Sequence, residues 1–258
     1  MKKRIAAAAG VLLAVMLFTA GCRGAHSSGI QHSPAHQDEP KFPEYQTGTN
    51  EMMDEPVSTT QEYGYVPVGS IYTFGAYPQS GSNDPIEWIV AECKNGNALL
   101  VSRYGLDTVR YHNKAENVTW ETSSVRKWLN TVFYQAAFSE SEQAAILISD
   151  CYGEDNDQYN VDGGNDTLDR VFLLSADEAC MYFPSDAERY CRATTYAIEQ
   201  GAYINPSTGG SWWWLRSPGY SQQDAASVNS DGSMDLDDGT VTSEKGTVRP
   251  AIWIELPR

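Results

Sequence analysis

Histidine is scarce in this chain of 258 residues: there are four, and only His112 falls after residue 62. A Ser-His or Cys-His nucleophile pair in the body of the chain would have to use it. Its setting, VRYHNKAEN, is a polar stretch that reads as surface. No G-x-S-x-G, H-E-x-x-H, P-loop or G-x-G-x-x-G occurs, so none of these signatures supports catalysis or nucleotide binding. No CxxC occurs either, and Cys93, Cys151, Cys180 and Cys191 match no zinc knuckle. After the first two dozen residues no run approaches the roughly 18 apolar residues that cross a bilayer. Positive charge is also short, with 18 Lys+Arg against 34 Asp+Glu. Leaving out Lys2, Lys3 and Arg4 reduces the basic count from 18 to 15, a net of −19 after Cys22. So acidic a surface repels nucleic-acid phosphates and anionic headgroups, which excludes both as partners. It favours solubility, cationic ligands or divalent cations.

The opening, MKKRIAAAAGVLLAVMLFTAGC, has a positive start and an apolar stretch from Ile5 to Thr19. That order fits a secretory signal better than a membrane span, because the apolar stretch is short and ends in small residues. Thr19-Ala20-Gly21-Cys22 resembles the lipobox of bacterial lipoproteins, where the signal is cut before the cysteine and the cysteine takes the lipid. The resemblance implies a signal peptide over residues 1–21, lipidation at Cys22, and a mature protein in the bacterial cell envelope, facing outside the cytoplasm. The membrane is then a partner only through the lipid anchor. An ordinary signal peptide with a coincidental cysteine is the alternative. Residues 22–62 are rich in Ser, Thr, Gln, Glu, Pro and His with hardly any aliphatics, so a disordered spacer is expected. A flexible chain of that length spans very roughly 35 Å. His26, His32 and His36 lie in it and read as solvated side chains.

From residue 63 to 258 the character changes to dense aromatics and alternating apolar residues, enough for one domain with its own core. SIYTFGAYP, IEWIVAEC and NALLVSRYGL read as strands, and Lys94-Asn95-Gly96 should join the last two as a hairpin. In SVRKWLNTVFYQAAF, Val125, Trp128, Leu129, Val132, Phe133 and Ala136 fall on one helical face. Ser139 to Glu142, Ser175 to Glu178 and Ser185 to Glu188 each carry the Ser-x-x-Glu capping box that starts a helix. Between the first two lies the acidic loop CYGEDNDQYNVDGGNDTLDR, followed by VFLLS, a short buried strand or its end. WWWLRS, AASVNSDGSM, GTVTSE and VRPAIWIEL return to β. Strands at both ends with helices between predict an α+β fold. Four cysteines allow three connectivities. Cys180–Cys191, on neighbouring predicted helices, is the favoured pair, and buried free thiols are the alternative.

WWWLRSPGY, AASVNSDG and GTVRPAIWI together resemble a domain of unknown function found in bacterial envelope proteins and lipoproteins. FGAYPQ…PIEWIV, TWETSSVRKWLN and VFLLSADEA agree with it, so the likeness covers nearly all of residues 66–255. Thr247 departs from it, standing where the family usually has glycine. More distantly, that ending resembles the C-type-lectin-like fold in the branch with formylglycine-generating enzymes. The likeness implies that the N- and C-terminal strands pair in a shared antiparallel sheet, with central helices. The paired copper-binding cysteines of those enzymes have no counterpart here.

In a strand, Trp212, Trp214 and Arg216 share one face and Trp213, Leu215 and Ser217 the other. The first face is either an aromatic platform with a cation–π partner or is covered, with Arg216 pairing a buried carboxylate. Structural roles are expected for Arg249, Trp253 and Trp128. Candidate ligand-binding residues are Trp212, Trp214, Arg216, Tyr220, Gln222, Asp224, Asn229 and Asp231, in and after that strand. The acidic loop offers hard oxygen ligands from Glu154 to Asp166 with glycines, a calcium-like composition, but its spacing fits no EF-hand. A solvated loop is the plainer reading, as it is for Asp231, Asp235, Asp237 and Asp238. No metal site and no cofactor are expected, with calcium as the alternative. Together these features predict a lipid-anchored, non-catalytic recognition or adhesion module for an extracellular glycan, peptide or partner protein. The alternatives are an envelope enzyme using carboxylates or one thiol, and a purely structural envelope protein.

Overall fold

A computed structural model describes residues 64–237 and 239–257, all within one compact unit, Ser58–Arg258. The expected signal, Cys22, the spacer and Asp238 lie outside the described residues. The first sheet grows from the hairpin of β2 (Asn83–Lys94) and β3 (Asn97–Ser102). Asn95 and Gly96 close it at φ 52° and 78°, the positive values that two-residue hairpin turns require. β1 (Ile71–Pro78) pairs with β2 and the last strand, β11 (Ala251–Glu255), with β3, giving the antiparallel order β1-β2-β3-β11.

The two terminal strands therefore share a sheet, but they lie on opposite edges and do not pair, against expectation. The burial pattern explains the order. Ala98 to Val101 of β3 and Ala251, Ile252 and Ile254 of β11 are buried, while β1 is largely half-exposed. The outer edge of β11 is covered by short segments: Phe172 bridges Ala251, Ile146 bridges Ile254, and Leu147 N–H donates to Trp253 O at 2.8 Å. VFLLS is thus buried and bridged to this edge without forming a strand of its own.

The predicted helix over Val125–Ala136 forms as α1 (Ser124–Trp128), a π-helical turn over Leu129–Phe133, and α2 (Tyr134–Ala137). The wider turn lengthens the repeat, so the buried positions are Val125, Leu129, Phe133 and Ala137, each four apart. Val132 and Ala136, expected inside, are exposed for that reason. All three capping boxes form, at α3 (Glu140–Ala145), α4 (Ala176–Tyr182) and α5 (Asp186–Arg189). Glu142 also accepts from the Gly75 amide at 2.9 Å, tying α3 to β1. A last helix, α6 (Thr195–Glu199), is capped by Thr194.

The second sheet has the order β4-β10-β7-β8-β9, from β4 (Asp107–Thr108), β10 (Thr247–Val248), β7 (Trp213–Pro218), β8 (Ala225–Val228) and β9 (Met234–Asp235). Only β10–β7 is parallel within it. GTVTSE forms no strand, contributing one bridge, Thr240 to Asp224. A two-stranded ribbon, β5 (Ser149–Cys151) with β6 (Thr167–Asp169), closes the acidic loop. The fold is α+β, a curled set of mainly antiparallel strands with short helices.

Arg249 joins the two sheets. Its Nε donates to Ser102 O of β3 at 2.9 Å and its Nη1 to Arg189 O at 3.3 Å. The guanidinium lies 4.8 Å from the Trp213 ring and 4.9 Å from that of Phe183. Trp128 packs its ring 5.5 Å from Phe133, and Trp253 carries the Lys94 ammonium over its face at 5.0 Å. The Cys180–Cys191 pair does not form: Cys191 is a buried thiol that donates to the carbonyls of Arg103 and Arg192.

Candidate functional site

Every residue of β7 is buried, so neither of its faces is an open platform. Trp214 lies edge-on to Trp212 at 4.7 Å, packs on Tyr111, and donates its Nε1 to Val109 O at 3.1 Å. Trp213 donates to Arg189 O at 3.2 Å. Arg216 is 2 % exposed and places both terminal nitrogens on Glu178, with a further bond to Leu173 O at 3.0 Å. Of the two readings of this face, the covered one is realised for Trp214 and Arg216, while Trp212 is half-buried. Trp214 and Arg216 are buried, because neighbouring side chains and the α4 carboxylate fill the space a ligand would need.

The remaining candidates divide between the two ends of β8. Asn229 and Asp231 sit in the β8–β9 turn, holding Ser233 through their side chains. Tyr220, Gln222 and Asp224 sit at the opposite end, in the β7–β8 connection, where Asp224 accepts from Ser221. They do not form one site.

At the Tyr220 end, the acidic loop is brought against the β7–β8 connection. The amide of Asn156, a buried side chain that the sequence marks only as part of the acidic loop, donates to Pro218 O, Gly219 O and Leu236 O at 3.0–3.3 Å. Gln222 donates to Asp162 O at 3.0 Å. These bonds set the Tyr159 ring 5.0 Å from Tyr220, nearly edge-on, and bring the Tyr159 hydroxyl onto the Asp237 carboxylate. That bond holds the Tyr159 phenol above its usual range. Tyr220 is 64 % exposed, yet its backbone N–H is fixed on Asp237 O at 3.2 Å. Beside the pair lies a hollow of about 200 Å³ lined by Glu154, Asp157, Gln158, Asp177 and Leu236 among others. Burial raises the Glu154 carboxyl against a hydrogen bond with Ser175 and the charge of Arg216, which lower it.

The loop carboxylates that the calcium alternative would use accept from the loop's own amides. Asp155 holds Gly163 N–H at 2.9 Å, Asp162 holds Gly164 at 2.8 Å, and Asp166 holds Gly153 at 2.9 Å. Among the described residues no group of three or more His, Cys, Asp or Glu side chains is disposed to hold a metal ion.

His112 lies between Ser124 Oγ at 3.2 Å and Glu116 Oε1 at 3.1 Å. The order Ser-His-Glu suggests a nucleophile relay, but Ser124 Oγ also accepts the Asn113 amide and Glu116 is half-exposed. None of the three lines the hollow beside Tyr220. Burial pushes the Cys151 and Cys191 thiols up, away from the thiolate a nucleophile needs. Among the described residues no helix is long and apolar enough to cross a membrane.

Comparison with curated proteins and with solved structures finds no match for this chain. Residues 95–256, more than half of the chain, match a family described as a domain of unknown function, DUF6273, and the chain belongs to that family.

Proposed function

We propose that this protein is a lipid-anchored recognition module of the bacterial cell envelope, held through Cys22 and binding an extracellular glycan at the Tyr220 surface. The observation that carries the reading is Tyr220 itself, a large exposed ring that is nonetheless fixed, by the edge of Tyr159 and by its own amide. A rigid aromatic face takes the apolar side of a sugar ring at little ordering cost, and neighbouring carboxylates accept its hydroxyls. Asp157, Gln158 and Asp237 supply those acceptors along the rim. The lipobox-like Thr19-Ala20-Gly21-Cys22 and the polar stretch to residue 62 support the anchor and spacer. A C-type-lectin-like arrangement is supported by the shared terminal sheet and by the buried Arg216 and Arg249 beside the Trp strand.

The test is a panel of cell-wall and host glycans offered to the purified protein and to Tyr220→Ala, with and without calcium. Saturable binding that weakens at least ~10-fold in the variant, at unchanged Tm, is expected for loss of one stacking ring. Binding that ignores Tyr220→Ala removes the proposal.

A second reading, a carboxylate-based envelope hydrolase, rests on Glu154, a carboxyl raised by burial in the same hollow as Asp157 and Asp177. A carboxyl raised by burial with further carboxylates beside it suits general acid–base chemistry. Glycan turnover abolished by Glu154→Gln with binding retained would select it over simple recognition.

A further inference from the structure

A second hollow, of about 520 Å³, has the opposite chemistry. Arg126 and Lys127 of α1 line one side, and Leu168 and Asp169 of the β5–β6 ribbon, with Ile148 and Arg170 flanking it, the other. The ribbon's alternation creates the second side. Ser149, Cys151, Thr167 and Asp169 turn inward and are buried, so the intervening positions face out. Ile148 and Leu168 are left 58 % and 64 % exposed at the hollow.

Its only buried carboxylate is fully occupied. Asp169 accepts from Trp120 Nε1 at 3.0 Å, Thr167 Oγ1 at 2.6 Å, Arg126 Nε at 2.8 Å and Asn130 Nδ2 at 3.2 Å. Glu121, at the rim, accepts from Asn165 at 2.8 Å. The cations are less committed. Arg170 gives one nitrogen to Ile146 O at 2.9 Å and lies over Tyr134, and neither it nor Lys127 has a carboxylate partner among the described residues. On a chain of formal charge −16, this places unpaired ammonium and guanidinium groups beside exposed aliphatic carbons.

We propose that the cleft binds a carboxylate-bearing peptide segment of a partner protein. An acidic side chain meets Lys127 and Arg170, and an aliphatic neighbour lies on Ile148 and Leu168. The volume falls within the range of residue-sized ligand sites, and charge complementarity selects the anion. The exposed carbons are aliphatic and flexible, a surface for a Leu or Ile side chain and not the flat ring that stacks on a sugar. Asp150, opposite Leu168 in the ribbon register, and Glu121 at the rim are the exposed carboxylates that oppose such a ligand. The site shares no residue with the Tyr220 surface, so it stands or falls separately from the glycan proposal.

The test titrates the isotope-labelled protein with the peptide acetyl-Leu-Glu-Leu-amide and with its glutamine counterpart, following backbone amide shifts. Shifts are expected at residues 126–131 and 168–170, with the glutamate peptide binding at least ~10-fold more tightly, as one charge-assisted contact implies. Lys127→Glu should abolish the preference, Leu168→Ser should weaken both peptides, and Asp150→Asn should strengthen the glutamate peptide alone. All three positions are exposed, and an unchanged Tm verifies that the fold persists. Equal affinity for the two peptides, shifts confined to other regions, no saturable binding, or indifference to Lys127→Glu would each overturn the proposal.

Discussion

Arg216 on β7 and Glu178 on α4 form a two-nitrogen, two-oxygen pair in which the arginine side chain is 1 % exposed. The same carboxylate closes the α4 capping box by accepting the Ser175 amide at 3.0 Å. One glutamate thus starts a helix and neutralises the cation beneath it. Tyr111 adds a bond from its hydroxyl to Arg216 O at 2.9 Å, which carries the connection to the Trp214 ring.

Glu178→Ala should therefore cost about 3–5 kcal/mol, because it leaves an uncompensated buried guanidinium as well as an uncapped helix. Arg216→Met combined with Glu178→Gln should recover more than half of that loss, since no charge remains buried. Urea unfolding with an unchanged m-value measures both. A double variant no more stable than Glu178→Ala would show that burial of charge is not the source of the cost.

Arg249 is satisfied differently, by two carbonyls and two ring faces, with no carboxylate partner among the described residues. Burial lowers its guanidinium from the ordinary arginine range. Lysine cannot lie flat between Trp213 and Phe183 while donating sideways to Ser102 O. Arg249→Lys should thus cost about 2–4 kcal/mol, combining a lost stack with a lost charge-assisted bond. Arg249→Met should cost less than Arg249→Lys, because methionine keeps the packing and buries no charge. Comparable unfolding midpoints for Arg249→Lys and the native protein would refute this.

What was legible in the sequence was what is local. The Asn95-Gly96 turn and the Ser139, Ser175 and Ser185 caps depend on residues within four positions, and all of them form. The π-helical turn that exposes Val132 and buries Leu129 and Phe133 in the core has no such local signature. The candidate ligand residues were grouped by sequence proximity. Tyr220 and Asn229 nevertheless lie at opposite ends of β8 once that strand pairs with β7. The partners of Tyr220 come from Tyr159 and Asp237, and Asn156 holds them through carbonyls about 60 to 80 residues away. The basic cleft is illegible in the sequence for the same reason, as α1 and β6 meet only in three dimensions.

Glu154 links stability to pH. Its folded carboxyl is raised above the ordinary range, so the folded state holds the proton more tightly than the unfolded chain. That contribution is present below the ordinary carboxylate pKa and is lost as pH rises through the folded value. Glu154→Gln keeps the shape without the charge. Its Tm advantage over the native protein should grow between about pH 4 and pH 7, the window above the ordinary glutamate value. Thermal melts across that range read the difference directly, and a gap that stays constant with pH would contradict the raised carboxyl.

The close approach of Gly105 to Thr247 gives a packing test where β10 meets the segment before β4. A Cβ on Gly105 would stand 2.5 Å from Thr247 Oγ1 and 2.6 Å from its Cβ. Gly105 cannot retreat freely, because its N–H donates to Arg192 O and its carbonyl accepts Thr194 N–H, both at 2.9 Å. Gly105→Ala should cost about 1–3 kcal/mol through overpacking. Thr247→Gly alone should also destabilise, since it removes the hydroxyl that donates to Trp212 O at 2.9 Å and loosens β10. Combined, the two changes should couple favourably by at least ~1 kcal/mol, because only glycine at 247 removes the Cβ that the new methyl strikes. Thr247→Ala retains that Cβ and should rescue Gly105→Ala far less. Strict additivity in the Gly105→Ala/Thr247→Gly cycle would mean that the overlap is relieved by backbone movement instead.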